Sequence, residues 1–211
     1  MTPTACRQFY AALRSANPAP QGELIYNSHY QLLVAVILSA QATDKSVNAA
    51  TAGLFDAAPT PQAMLELGLA GLKRHIRTIG LYNAKARHIM ATSRLLLERH
   101  GGRVPAARAA LEALPGVGRK TANVVLNIAF GEATIAVDTH IFRVANRTGL
   151  APGRTPRAVE DRLLEVTPAQ FQQHAHHWLI LLGRYVCKAR RPDCPHCPVR
   201  RWCAFPGKVR A

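Results

Sequence analysis

Acidic side chains are scarce in this chain: 12 Asp+Glu stand against 27 Lys+Arg in 211 residues, a formal charge of +15. A folded protein so short of anions is expected to meet a polyanion, either nucleic acid or an anionic membrane surface. Long apolar runs are also lacking. The best, Leu32 to Leu38, is seven residues, whereas a bilayer span needs roughly twenty. The first residues, Met1-Thr-Pro-Thr-Ala-Cys-Arg, contain no apolar signal region, so a cytoplasmic location is expected. There is no low-complexity segment, no internal repeat and no alternating strand pattern, which argues against solenoids and sheet proteins. At 48% hydrophobic residues the chain can bury a real core, so intrinsic disorder is excluded as its main state.

What is present is the punctuation of many short helices. Ser28 with Gln31 reads as a capping box before Leu32–Ser39. That run is apolar all round, and its cap favours a buried helix over a buried strand. Thr43 or Asp44 opens a helix reaching Leu54. Thr60-Pro61 opens another that Gly68 is expected to close. Asn83 starts a helix that stops at Gly101-Gly102. Two more, 106–113 and 120–130, are split by Pro115-Gly-Val-Gly118. Asp138 can cap 139–147, Thr155-Pro156 opens the next helix, and Pro168 opens the last. The fold class expected is all-α.

The charge is uneven. Residues 101–211 hold 17 basic and 7 acidic groups, and residues 184–211 hold eight basic groups against the single Asp193. That last stretch also carries Cys187, Cys194, Cys197 and Cys203, spaced C-x6-C-x2-C-x5-C, while Cys6 stands alone. Four thiolates so close can hold a tetrahedral zinc or an iron–sulfur cluster, and spacing leaves these two level. Two local disulfides are the bland alternative, uncommon in a cytosolic helical protein. His196, inside the Cys194/Cys197 pair, is read as an exposed loop residue. Closing the site would make Lys188, Arg190 and Arg191 a fixed positive surface.

Leu114-Pro-Gly-Val-Gly-Arg-Lys-Thr-Ala122 is the second strong signal. Two helices meet at a Gly-hydrophobic-Gly turn, where Gly116 and Gly118 are expected to allow positive φ and close backbone approach. Val117 can tuck inward. The N–H groups at the start of the next helix then seat a phosphate oxygen without reading bases. A plain helix–helix turn is the alternative. Lys120 falls in the first turn of that helix, beside Arg119. There the helix dipole, the neighbouring guanidinium and an expected partial burial would lower its amine pKa and free its lone pair. Asp138 is either an N-cap or the carboxylate partner of such an amine.

Taken together, LPGVGRKTA with its lysine, VDTHIFRV with its aspartate and the cysteine spacing resemble the endonuclease III family of the helix-hairpin-helix DNA glycosylase superfamily. Leu38-Ser-Ala-Gln-Ala-Thr-Asp44 and Thr78-Ile-Gly-Leu-Tyr-Asn83 are similar to that family too, and the matching segments run from about 22 to 203. The resemblance implies two helical lobes flanking a DNA-binding cleft. One is a barrel at 22–131 with the helix-hairpin-helix at about 108–127; the other joins 1–21 to 132–211 and holds a 4Fe-4S cluster on Cys187, Cys194, Cys197 and Cys203. It further implies Lys120 as nucleophile and Asp138 as essential carboxylate. Gln41 and Leu81 are implied to fill the gap in the duplex after the damaged nucleotide leaves the stack. Their bland alternatives are a helix cap and a core residue, and Asp44 fits capping alone.

The expected activity is a bifunctional DNA glycosylase and abasic-site lyase of base excision repair. It would act as a nucleoid-associated monomer on duplex DNA carrying damaged pyrimidines or abasic sites, without a membrane. The rivals are a monofunctional glycosylase using water, against which Lys120 argues, and a non-catalytic DNA-binding module. An electron-transfer protein explains neither the charge nor the hairpin.

Overall fold

In the computed structural model, which describes residues 1–208, every regular element is helical. The elements are α1 (Pro3–Ala16), α2 (His29–Leu38), α3 (Asp44–Ala57), α4 (Pro61–Ile76) and α5 (Tyr82–His100). They continue with α6 (Arg108–Glu112), α7 (Arg119–Phe130), α8 (Thr139–Thr148), α9 (Pro156–Val166) and α10 (Ala169–Leu181). The chain divides into two compact units, Glu23–Gly131 and Met1–Gly22 with the chain from Glu132 onward. Each has its own apolar core. No helix among the described residues is long and apolar enough to cross a membrane.

Side-chain caps set the helix starts. Ser28, Thr43, Thr60 and Thr155 each accept a backbone N–H three residues on, and Pro61 and Pro156 occupy the first helical positions. The Gln31 side chain accepts from Asn27 N–H at 2.7 Å, so it reaches one residue further back than a capping box requires. α1 begins with the same signature at Thr2-Pro3. It buries Cys6, Phe9, Tyr10 and Leu13, and was not expected from the sequence. Cys6 is a core thiol donating to Val166 O at 3.3 Å.

Gly68 closes the first helical stretch of α4 as expected: at φ 72°, ψ 166° it is outside helical geometry, and a second stretch follows it to Ile76, burying Leu72 and Ile76. α2 is the central helix of the Glu23–Gly131 unit. All its residues from Tyr30 to Leu38 are buried, and it packs on α3, α5 and α7. α4 and α5 form the most extensive helix pair. In the other unit, Phe9, Tyr10, Phe171 and Trp178 pack α1 against α10. The buried strip Ile135-Ala-Val137 delivers the chain to Asp138 and α8.

Candidate nucleic-acid interface and cysteine centre

The hairpin is built from α6, the turn 113–118 and α7. Arg108 donates to the Asn123 side chain and ties the two helices together. Within the turn, Leu114 N–H bonds to Leu111 O and Val117 N–H to Leu114 O. Val117 is buried as expected and anchors the turn in the core. Gly116 takes φ 80°, and a Cβ there would lie 2.9 Å from His88 Cβ, so glycine is required on both counts. Gly118 departs from expectation. It is extended at φ −92°, ψ 177°, and a Cβ there would meet nothing within 4 Å. Its own fold would tolerate a side chain. Gly118 is the N-cap of α7 and supplies no capping side chain. The first turn of α7 therefore receives no side-chain cap from the residue that precedes it.

Lys120 stands two residues past that cap, and it is exposed. The partial burial expected from sequence is not found, because the turn places Arg119 and Lys120 ahead of the buried stripe that starts at Ala122. The helix N-terminus and Arg119 remain as its electrostatic surroundings. Asp138, in the other unit, caps α8: Oδ1 accepts from His140 N–H at 2.9 Å and Ile141 N–H at 2.8 Å. Oδ2 makes no hydrogen bond among the described residues, so the cap leaves one oxygen of a half-buried carboxylate available.

Gln41 caps no helix and Leu81 is not core; Leu81 stands at the N-cap position of α5 but makes no side-chain cap bond. Both are exposed, Leu81 to 62%. Both sit in the left-handed region, at φ 56° and φ 60°. Their turns adjoin, since a Cβ on Gly80 would lie 4.0 Å from Gln41 O. Arg191, at φ 50°, is the third non-glycine residue with positive φ. It lies in the cysteine loop, where Lys188, Arg190 and Arg191 are all exposed. Asp44 begins α3, with Thr43 as its cap.

The four cysteines come together. After α10 the helix widens into a π-helical turn, Leu182–Val186, that ends at Cys187. Cys194 and Cys197 follow in a proline-braced turn, and a 3₁₀ turn, Arg200–Trp202, leads to Cys203. No disulfide joins them. All four line one hollow, with Leu182, Val186, Pro192 and Phe205 around them. Burial pushes the Cys197 thiol up; the Val199 N–H opposes this, and the three facing thiols add to it. Burial also pushes Cys203 up, against the Phe205 N–H and Lys208. Holding four thiolates there calls for a cationic group. Four thiols around one hollow are a donor set that fits either a tetrahedral ion or an iron–sulfur cluster. His196 is not among the lining residues; it bonds Asp193 at 2.8 Å and is 83% exposed.

Two arginines of α8, not singled out from the sequence, hold this loop. Arg143 donates to Cys187 O at 2.9 Å and Gly183 O at 2.7 Å. Arg147 donates to Lys188 O at 2.7 Å and Ala189 O at 2.9 Å, and its guanidinium lies over Phe205. Their i, i+4 spacing on the helix that follows Asp138 was the available signal.

Residues 34–169 match the model of the HhH-GPD superfamily of base excision DNA repair proteins. The chain belongs to that superfamily, and within it to the endonuclease III family. It is 62% identical to endonuclease III of Escherichia coli over 197 residues, 93% of each chain. It is 58% identical to that of Haemophilus influenzae over 209 residues, 99% of each. Among solved structures, a trapped endonuclease III–DNA covalent intermediate superposes with a TM-score of 0.90 at 41% identity, covering 97% of this chain and 96% of that one. A thermostable thymine-DNA glycosylase, at 23% identity and a TM-score of 0.82, shares the fold.

Proposed function

We propose that this chain is a bifunctional DNA glycosylase and abasic-site lyase. It removes oxidised pyrimidines from duplex DNA and cuts the strand 3′ to the abasic site. The observation that carries this reading is an exposed lysine, Lys120, two residues past an N-cap that supplies no capping side chain. A phosphate seated at that helix start puts a deoxyribose within reach of an amine. The endonuclease III to which the chain is similar has been trapped covalently with DNA, which accords with a lysine nucleophile.

The target nucleotide must leave the stack before C1′ can be reached, which costs a few kcal/mol and less at a lesion. Gln41 and Leu81, presented on left-handed turns, fill the gap. The hairpin and the basic cysteine loop hold flanking phosphates, giving sequence-independent affinity that falls steeply with salt. Lys120 Nζ attacks C1′ and the C1′–N bond breaks, the base leaving with the electron pair and taking up a proton. The sugar opens to a Schiff base with Lys120. Loss of a C2′ proton then expels the 3′ phosphate by β-elimination, and water releases the lysine from the unsaturated aldehyde. Asp138 Oδ2 takes the lysine proton or stabilises positive charge developing on the sugar.

Cys187, Cys194, Cys197 and Cys203 would hold a 4Fe-4S cluster. Its chemistry when bound is to tie the loop bearing Lys188, Arg190 and Arg191 into one rigid surface. The protein would act as a cytoplasmic monomer at the nucleoid.

Borohydride trapping on a thymine-glycol duplex tests the assignment. Wild type is expected to form a covalent adduct, and Lys120→Ala to form none while still binding the duplex. An undiminished adduct in that variant would exclude Lys120 as the nucleophile. Strand scission on that duplex, but not on an unmodified one, separates the enzyme from a non-catalytic binding module.

A further inference from the structure

The Glu23–Gly131 unit buries a cation that the proposed mechanism does not use. Lys85, near the start of α5, is 5% exposed. Its Nζ donates to Leu38 O at 2.8 Å and to Ala40 O at 2.6 Å. Leu38 ends α2 and Ala40 immediately precedes Gln41. The backbone N–H of the same lysine bonds to Leu81 O at 3.1 Å. That last bond is the ordinary first-turn bond of α5, so Lys85 stands on the helix that Leu81 opens while its ammonium holds the Gln41 turn, and it is tied to both turns of this unit that carry a non-glycine residue in the left-handed region.

We propose that Lys85 is a positioning residue for duplex opening, clamping the Gln41 turn to the Leu81 turn so that both side chains are already aimed when a nucleotide leaves the stack. This rests on the gap-filling reading of Gln41 and Leu81. Four features support it. A core position facing apolar neighbours needs only a leucine or methionine, and taking an ammonium out of water is costly unless it holds partners that nothing else would hold. The carbonyls it meets lie at the C-terminal end of α2, the negative end of the helix, where a cation is favoured. Burial also pushes the Lys85 ammonium below its ordinary range, a further cost retained at this site. Finally, left-handed φ at Gln41 and Leu81 persists only where surrounding contacts over-determine it.

Lys85→Met keeps the volume and deletes the clamp. In the full-length protein it is expected to lower single-turnover cleavage of a thymine-glycol duplex about ten- to a hundred-fold, by freeing two carbonyls from a charged donor. Borohydride trapping of a single-stranded abasic oligonucleotide, which has no gap to fill, is expected to stay within about two-fold of wild type. Adding Gln41→Ala to Lys85→Met should cost little more, because both changes remove the same act. Hydrogen exchange across residues 39–43 should rise in Lys85→Met.

Equal losses on duplex and single strand would overturn the proposal, as would losses that multiply in the double variant. Unchanged exchange at 39–43 would overturn it as well. Should Gln41→Ala alone leave duplex cleavage unchanged, the gap-filling reading fails while the clamp is still judged by exchange at 39–43. If Lys85→Met does not fold, Lys85→Gln, which retains a donor, supports the same comparison.

Discussion

Replacing Asp138 by asparagine removes a charge and keeps a cap, which separates the capping role that the structure shows from the catalytic role proposed for the same side chain. Both N–H bonds fall on Oδ1, an atom that asparagine reproduces as a carbonyl oxygen. Asn and Asp are comparable N-caps, so the cap itself should lose only a few tenths of a kcal/mol. Loss of the charge at the positive end of α8 adds about 0.3–1 kcal/mol. For a chain of 211 residues the expected drop in Tm is about 1–6 °C, taking about 2–4 °C per kcal/mol at this size. Asp138→Ala also loses the cap, for about 1 kcal/mol more. Turnover should behave otherwise: if Oδ2 handles a proton or faces developing charge, both variants lose about 10²–10⁴-fold alike. Thermal melts by circular dichroism and single-turnover cleavage of a thymine-glycol duplex give the two numbers. An Asp138→Asn protein that cleaves at the wild-type rate would refute the catalytic role and leave Asp138 a cap alone.

Leu81→Gly relieves about 1 kcal/mol of left-handed strain and incurs a similar chain-entropy cost, so Tm should hold within a few degrees; duplex cleavage should nonetheless fall about ten-fold, and a matching fall in Tm would mean the leucine is structural. Gly116→Ala must fit a methyl 2.9 Å from His88 Cβ at φ 80° and should lose about 1–3 kcal/mol in denaturant titrations. Gly118→Ser should keep or raise stability by a few tenths of a kcal/mol through a new cap, yet weaken duplex binding as its hydroxyl takes the phosphate's N–H groups; unchanged affinity would remove the anion seat from the proposal. Cys203→Ser should reduce iron content and visible absorbance in the purified protein, whereas a zinc protein would be colourless from the start.

The helices were legible because their boundaries are written in local chemistry. Ser28, Thr43, Thr60-Pro61, Asp138 and Thr155-Pro156 state a start in one to four residues, and each side-chain cap is made. One start was missed: Thr2-Pro3 carries the same cap-and-proline signature and opens α1. Gly68 does stop its helical stretch, and what the sequence did not show is that a second stretch follows at once, burying Leu72 and Ile76. The cysteine centre was legible in spacing alone; zinc against cluster was not, because both take four converging thiolates.

Exposure is the quantity the sequence hid at the site. Lys120 looked half-buried and is exposed, whereas Lys85, in the ordinary-looking Asn-Ala-Lys-Ala-Arg, is buried with two carbonyls on its ammonium. The inversion has a physical logic. A nucleophile that must meet DNA sits on a helix start free of core packing. A cation that shapes the surrounding turns can sit where no substrate reaches. Strain makes the same division visible. Among the described residues, Gln41, Leu81 and Arg191 are the non-glycine residues of positive φ, and each is a DNA contact expected from motif or charge. A leucine gains nothing for the fold by being left-handed and 62% exposed. On the proposal above, the conformation is retained because it aims a side chain outward, and the Lys85 ammonium on Leu38 O and Ala40 O holds the Gln41 turn in place. Removing that lysine should therefore relax the turns without unfolding the unit around them.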